Sequence, residues 1–480
     1  MPRSSFALLV LLSFALSACG PKVAPQAMPA PRGALPKAPQ GPSKPKVVTH
    51  FHPKADPAIA SALMDDVVIF EFWIYYLPAP ESDPLVQLDQ LLAESYPHLK
   101  RVDEAPEDMT VPIVVGAMPA DVRTSWRPPG LESLRYSGEG LSAEQASALQ
   151  ETEAVLVLMF AHPESHAWTA MHDALKLTEA LARKSGGLIY DGETRQIFTP
   201  EVWQAVRLDN WTSGVPDISK QITIHAYNND EFVRAVTLGM RKFGLPDVTV
   251  EEFPWSEQRS VGNFINLFIQ AEAEGFVSPD VQTCRLDVHS IQNQIVREKT
   301  VRSLKENSLG KIVVKLRKTE PEEGDAENRL FALEFDDYPG PDAHARRDAA
   351  LGELFGWEDE VNPVRHNEEL LAKSEEARKS LPALREKFTK GLDPGEFLQV
   401  KAPFATPDDG KEWMWVEISA WADGKIMGLL RNEPFNIPDL HAGQVVEVLE
   451  ADVFDYLHTL PDGSTEGNET GRLIEQQSGE

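Results

Sequence analysis

Cysteine is almost missing from these 480 residues. Only Cys19 and Cys284 occur, too few for a disulfide framework that could staple a small fold. The compact signatures of common catalytic chemistry are missing too. There is no Gly-x-Ser-x-Gly elbow to expose a serine nucleophile, no Gly-x4-Gly-Lys loop to cradle phosphate, no His-Glu-x-x-His pair and no Cys-x-x-Cys pair. No cofactor is therefore expected. Beyond the N-terminus no segment offers eighteen apolar residues in a row. The strongest, 67–77, is interrupted by Glu71 and is too short to cross a bilayer. Basic charge is also in deficit, 46 Lys and Arg against 75 Asp and Glu for a formal charge of −29. Phosphate binding needs clustered basic side chains, so a nucleic-acid partner is excluded as an expectation.

What is present begins at the first residue. Arg3 supplies a positive charge, residues 6–15 an apolar run, and Leu16-Ser17-Ala18-Cys19 closes it with small residues before a cysteine. This layout is secretory, and it resembles a bacterial lipoprotein signal peptide. The resemblance implies that 1–18 are removed and that Cys19 is lipidated as the first mature residue. Gly20, where an aspartate would favour inner-membrane retention, points to the outer membrane. Cys284 is then the sole thiol of the mature chain. Its neighbours read as a strand, so it is expected to be buried and inert.

Residues 20–57 contain ten prolines, a composition that disfavours helix and sheet alike and predicts a tether. At about 3.1 Å per residue it reaches on the order of 100 Å when extended. Within 19–58 there are six basic residues and a single acid, Asp56, a net +5 that leaves −35 on residues 59–480. The tether is thus attracted to anionic headgroups and the body repelled by them. His50 and His52 at its end are close enough to share a metal, although no further ligand is recognisable nearby.

The rest divides by pattern into a mixed α/β domain at 58–279, a connecting α+β region at 280–361 and a last region at 362–480. In the first, strands are expected at 67–76, 111–116, 155–160, 188–190, 222–226 and 248–253. Helical spacing predicts helices over 168–183, stopped by Gly186-Gly187, and over 230–243 and 257–274. Thr199-Pro200-Glu201 reads as a further helix entry. In the second, strands at 285–288, 311–316 and 330–335 frame an acidic loop at 320–327, expected to be solvated, with a helix at 342–355. The last opens with a helix at 368–388, interrupted or kinked at Pro382. Strands at 397–402, 414–420, 426–430 and 445–449 follow. The fold class is α+β, ending in a small antiparallel sheet or partly closed barrel with one packed helix.

Several blocks of the last region carry a family likeness: Val400-Lys401-Ala402-Pro403-Phe404, Glu412-Trp413-Met414-Trp415-Val416-Glu417, Asn432-Glu433-Pro434 and Gly443-Gln444-Val445-Val446-Glu447-Val448. They resemble the bacterial domain of unknown function 2314, the YegJ-like family, over 362–480. The resemblance implies an α+β fold and no activity, ligand or catalytic residue.

Two constellations could carry function. His162, His166 and Asp173, with His172 between them, sit at a strand-to-helix junction where open α/β sheets place active sites, and would serve a metal-dependent envelope hydrolase. Phe404, Trp413, Trp415 and Trp421 form an aromatic group of the kind that anchors interfaces. Glu412, Glu417 and Glu433 beside them offer carboxylates. Lipid anchorage, reach and the missing catalytic signatures favour an envelope binding or assembly module with a protein partner, held to the membrane by the lipid on Cys19. Alternatives are the hydrolase and a protein that protects against a toxin.

Overall fold

The structure is a computed structural model, and it describes residues 65–480 apart from 105, 107–109, 230–231, 276–282, 357–367, 408–409 and 479–480. The signal-like segment, the tether, Cys19, His50 and His52 lie outside the described residues.

The first sheet contains β1 (Val67–Tyr76), β2 (Lys100–Arg101), β3 (Ile113–Ala117), β4 (Gly138–Glu139), β5 (Val155–Pro163), β6 (Gly187–Asp191) and β7 (Gln196–Phe198), in the order β2-β3-β5-β1-β6-β7-β4. Central β1 is covered on both faces: Phe70, Phe72 and Ile74 enter the main core, while Trp73 and Tyr75 pack with Trp126 and Tyr190 on the other side. Two long helices pack on the main-core face, and short helices at Val122–Ser125, Leu131–Ser137 and Ala143–Leu149 lie against the other. In α1 (Pro84–Ser95), Asp83 caps the N-terminus and Pro84 sits where its missing N–H costs nothing. In α2 (Ala167–Ser185), Met171, Ala174, Leu175, Thr178 and Leu181 are buried at the spacing the sequence shows. Gly186 ends α2 with φ 79° and returns its N–H to Ala182, a left-handed cap that costs a side chain-bearing residue energy.

A small hairpin, β8 (Trp211–Thr212) and β9 (Val215–Pro216), leads into the second sheet. Its strands are β10 (Thr223–Asn229), β11 (Phe232–Leu238), β12 (Asp247–Phe253), β13 (Thr283–Asp287), β14 (Lys311–Thr319) and β15 (Leu330–Glu334), in the order β10-β11-β12-β15-β14-β13. Helices α3 (Gln258–Ala273) and α4 (Ala343–Phe355) pack with it.

This sheet corrects two expectations. First, β12 pairs in parallel with β15, so one sheet spans the boundary proposed at 279/280. Side chains from both sides of that boundary share one hydrophobic cluster, and 280–361 is not a separate region. Second, where a helix was expected over 230–243, the chain from Phe232 on forms β11 followed by a 3-10 turn at Met240–Phe243. Val233, Val236, Met240 and Phe243 mimic helical spacing by coincidence. In the fold Val233 joins the main core, whereas Val236 packs with Tyr227 and Leu330 on the opposite face. Cys284 is fully buried on β13, where burial and the nearby Glu272 push its thiol up to about 12.

Arg234 points from β11 into this second face and is 1% exposed. Its guanidinium donates to Asp325 Oδ2 at 2.8 Å, to the Tyr227 hydroxyl at 3.1 Å and to Glu251. Burial opposes its charge, but the bond to Asp325 and the charges around it hold the pKa above the ordinary arginine value. The 320–327 loop is therefore not simply solvated, because Asp325 turns inward as the counter-ion.

Between the first two sheets lies a second buried ion cluster. The Asp191 carboxylate at the end of β6 accepts from Lys242 Nζ and, at 3.0 Å, from Arg207 Nη2. Asp191 and Lys242 have 0% side-chain exposure and Arg207 1%. Arg207 also lies 4.7 Å from the Phe198 ring centroid, a cation–π contact. Burial lowers the Lys242 pKa to about 8 against the pull of Asp191.

Candidate functional site

The third sheet follows α5 (Glu368–Lys390), which runs through Pro382 as one helix. It consists of β16 (Phe397–Ala405), β17 (Lys411–Ala422), β18 (Lys425–Leu430), β19 (Val445–Leu449), β20 (Asp455–Thr459) and β21 (Thr465–Gly467). The order is β19-β18-β17-β16-β20-β21, an open antiparallel sheet rather than a barrel. A last helix, α6 (Glu469–Ser478), contacts α5.

The alternation of a strand sorts the aromatic candidates onto two faces. Leu398, Val400, Ala402, Met414, Val416, Ile418, Ile426 and Leu430 point to the core face, where Leu381 and Leu384 of α5 cover them. Trp413 and Trp415 point the other way and are half-buried. Trp421 has the same parity as these two, yet it joins the core. A register shift between Ile418 and Ala420 adds one residue to β17 and inverts the alternation beyond it. Trp421 is 7% exposed and donates through Nε1 to Glu450 at 2.8 Å. Phe404 also leans on the core face. The four aromatic candidates are thus two and two.

On the outer face Trp413 meets Phe454 edge-on, centroids 6.0 Å apart. The Lys401 ammonium lies 5.7 Å from the centroid of the Trp415 ring, its charge disfavoured by burial and favoured by Asp455. Farther across this face, Met427, Val445 and Leu449 are exposed large apolar side chains on β18 and β19.

The carboxylates beside the tryptophans serve the backbone. Past Leu430 the chain leaves the sheet, and Asn432 Oδ1 accepts the Trp415 N–H at 2.7 Å in its place. Glu412 accepts the N–H groups of Phe435 and Asn436 at 2.8 and 3.0 Å, and Glu433 that of Ala442 at 3.0 Å. These bonds pin the 431–444 loop and explain why Glu412 and Asn432-Glu433-Pro434 occur where they do. They bring no pair of carboxylates together.

Glu417 has another role. It shares the face of Trp413 and Trp415, but it is 5% exposed and packs against the body, where both of its oxygens lie 3.3 Å from the Ser256 nitrogen. Next to it Arg431 Nη1 donates to Glu257 Oε1 at 2.8 Å, and Arg347 Nε donates to Glu257 Oε2 at 2.7 Å. Arg347 Nη2 lies 2.9 Å from His344 Nδ1, and Nη1 reaches the Glu252 carbonyl at 3.2 Å. No local pattern in the sequence announces this seam, because its members come from β17, the 431–444 loop, α4 and the turn before α3.

The histidine candidates do not assemble. His162 closes β5, is 1% exposed, and has Nδ1 3.0 Å from the Pro163 carbonyl. Burial lowers its pKa to about 4, with His166 adding to the effect. His166 is exposed beside Ser165. Asp173 is held by His98 at 2.6 Å, and His172 stacks on Trp211. Among the described residues no group of three or more His, Cys, Asp and Glu side chains is arranged to hold a metal ion.

The sheet, its covering helix and the pinned loop coincide with the region of family likeness. Residues 367–479 match DUF2314, described as an uncharacterized protein conserved in bacteria. The match begins inside the segment before α5 and includes the whole third sheet, so the DUF2314 region is a structural unit as well as a sequence one. No curated protein and no solved structure matches the chain.

Proposed function

We propose that this chain is a lipid-anchored bacterial envelope protein that docks another envelope protein through the part of the outer face of its DUF2314 sheet, around Trp413 and Trp415, that lies beyond the contact of Glu417 with the body. The observation that carries the reading is the placement of Trp413 and Trp415 on the face that α5 does not cover, half-buried and backed by Phe454 and Lys401. Tryptophans held in this way, with part of each ring accessible, are the side chains that dominate protein interfaces. The anchor rests on the signal-like N-terminus, and the proline-rich segment supplies reach.

The test is in-cell crosslinking of the full-length protein followed by mass spectrometry. Replacing Trp413 and Trp415 together by alanine is expected to lower capture of the dominant envelope partner by about tenfold or more. Circular dichroism of the variant should remain that of the parent. Undiminished capture in a folded variant would dismiss the aromatic face. A separate control addresses the anchor: Cys19→Ser is expected to abolish incorporation of labelled fatty acid and to release the protein from the membrane fraction. Labelling that survives the substitution would place the lipid, and the anchor, elsewhere.

A further inference from the structure

The seam between the DUF2314 sheet and the body holds two guanidiniums, Arg347 and Arg431, and three carboxylates, Glu257, Glu417 and Asp348. Glu257 takes both of the close arginine bonds. Glu417 is left with a backbone N–H and the more distant charge of Arg431, and it also faces the charge of Glu257. Asp348, on α4, faces Glu257 and Asp342 as well as both arginines. His344, 8% exposed, lies with Nδ1 against an Arg347 N–H, a contact that suits the neutral ring. At the rim His441 stands 3.7 Å from Asp342. With every carboxylate ionised these five groups carry one negative charge in excess, in a seam where burial weakens screening by water.

We propose that this seam is a proton-set latch: the DUF2314 sheet docks on the body with uptake of a proton, and its docking loosens as the surroundings pass from mildly acidic to neutral. The geometry fixes which carboxylates take the proton. Glu257 stays ionised because burial, which would raise its pKa, is outweighed by Arg347 and Arg431. Glu417 is pushed up to about 7 by burial, and Asp348 to about 6 by burial and the charge of Glu257.

The sign follows from linkage. A carboxylate whose pKa is raised in the docked form binds more protons there than when released. Its contribution is fully present below its ordinary value near 4.5 and is lost as pH climbs through about 7. Glu257, shifted the other way, contributes above its ordinary value and loses that contribution as pH falls below it. Docking is therefore tightest near pH 5 and weaker on both sides.

The Ser256 N–H reports the latch directly, since Glu417 accepts it. Amide exchange of the full chain, corrected for intrinsic rates, is to be followed from pH 5 to pH 8. The β1 amides, buried between β5 and β6, serve as the internal reference. Protection at Ser256 is expected to fall at least tenfold relative to β1. Glu417→Gln, which keeps an acceptor and removes the titration, is expected to flatten that fall. Asp348→Asn should remove a smaller part of it. A pH-independent Ser256 overturns the proposal with no variant needed. A Glu417→Gln profile that follows the parent overturns it as well.

Discussion

Replacing Asp191 by alanine is expected to destabilise the body by about 3–5 kcal/mol, because it leaves two buried cations without their shared counter-ion. Lys242 Nζ would keep only the Gln221 carbonyl. Arg207 would keep Thr194, Gln196 and the Lys220 carbonyl, none of them charged. Neither cation can reach water, since Lys242 is fully buried and Arg207 nearly so. Urea unfolding followed by tryptophan fluorescence measures the loss. An unfolding free energy within about 1 kcal/mol of the parent's would show that the three charges are not coupled. The same reasoning predicts recovery. Asp191→Leu combined with Lys242→Met and Arg207→Met removes every charge at once, and should regain most of the stability that the single change loses.

The second large effect is expected at Gly428, which pairs with Ile418 where the register of β17 shifts. A Cβ there would stand 1.9 Å from the Glu417 carbonyl oxygen and 2.9 Å from Val416 Cγ1. The first of these is main chain and cannot swing aside, so β17 and β18 must separate. Gly428→Ala is expected to cost about 3 kcal/mol or more, at the upper end of overpacking effects. The thermal transition of the DUF2314 region should fall by roughly 10 °C or more. Near-ultraviolet circular dichroism should change as well, because Trp421 owes its buried position to that irregularity. An unshifted transition would mean that the two strands are not held at this distance.

Much of the secondary structure is legible in the sequence, for identifiable reasons. Residues 155–160 and 168–183 carry unbroken apolar runs and clean helical spacing, and Gly186 marks the helix end with a residue that tolerates φ 79°. Long-range pairing leaves no such trace. Nothing local tells β12 to lie beside β15, and Phe232–Leu238 looked helical because strand residues on both of its faces are buried. Arg234 and Asp325 read as ordinary surface charges until the fold puts one against the other. The aromatic site was half legible. Trp413 and Trp415 follow from simple alternation, whereas one inserted residue in β17, invisible in composition or period, moved Trp421 to the core. The seam charges were not legible at all, since four separate segments contribute them.

The parallel pairing of β12 with β15 also sets an order of events. A polypeptide delivered from its N-terminus presents β10, β11 and β12 long before their neighbour in the sheet. Until Leu330–Glu334 arrives, β12 is an open edge whose N–H and C=O groups can pair with the wrong strand. The third sheet waits less, because its strands lie between residues 397 and 467 and only β16 must wait for a distant neighbour, β20. The body is thus the slow partner in maturation. A chaperone that shields one stretch of this nascent chain has its greatest effect on the interval between Phe253 and Leu330.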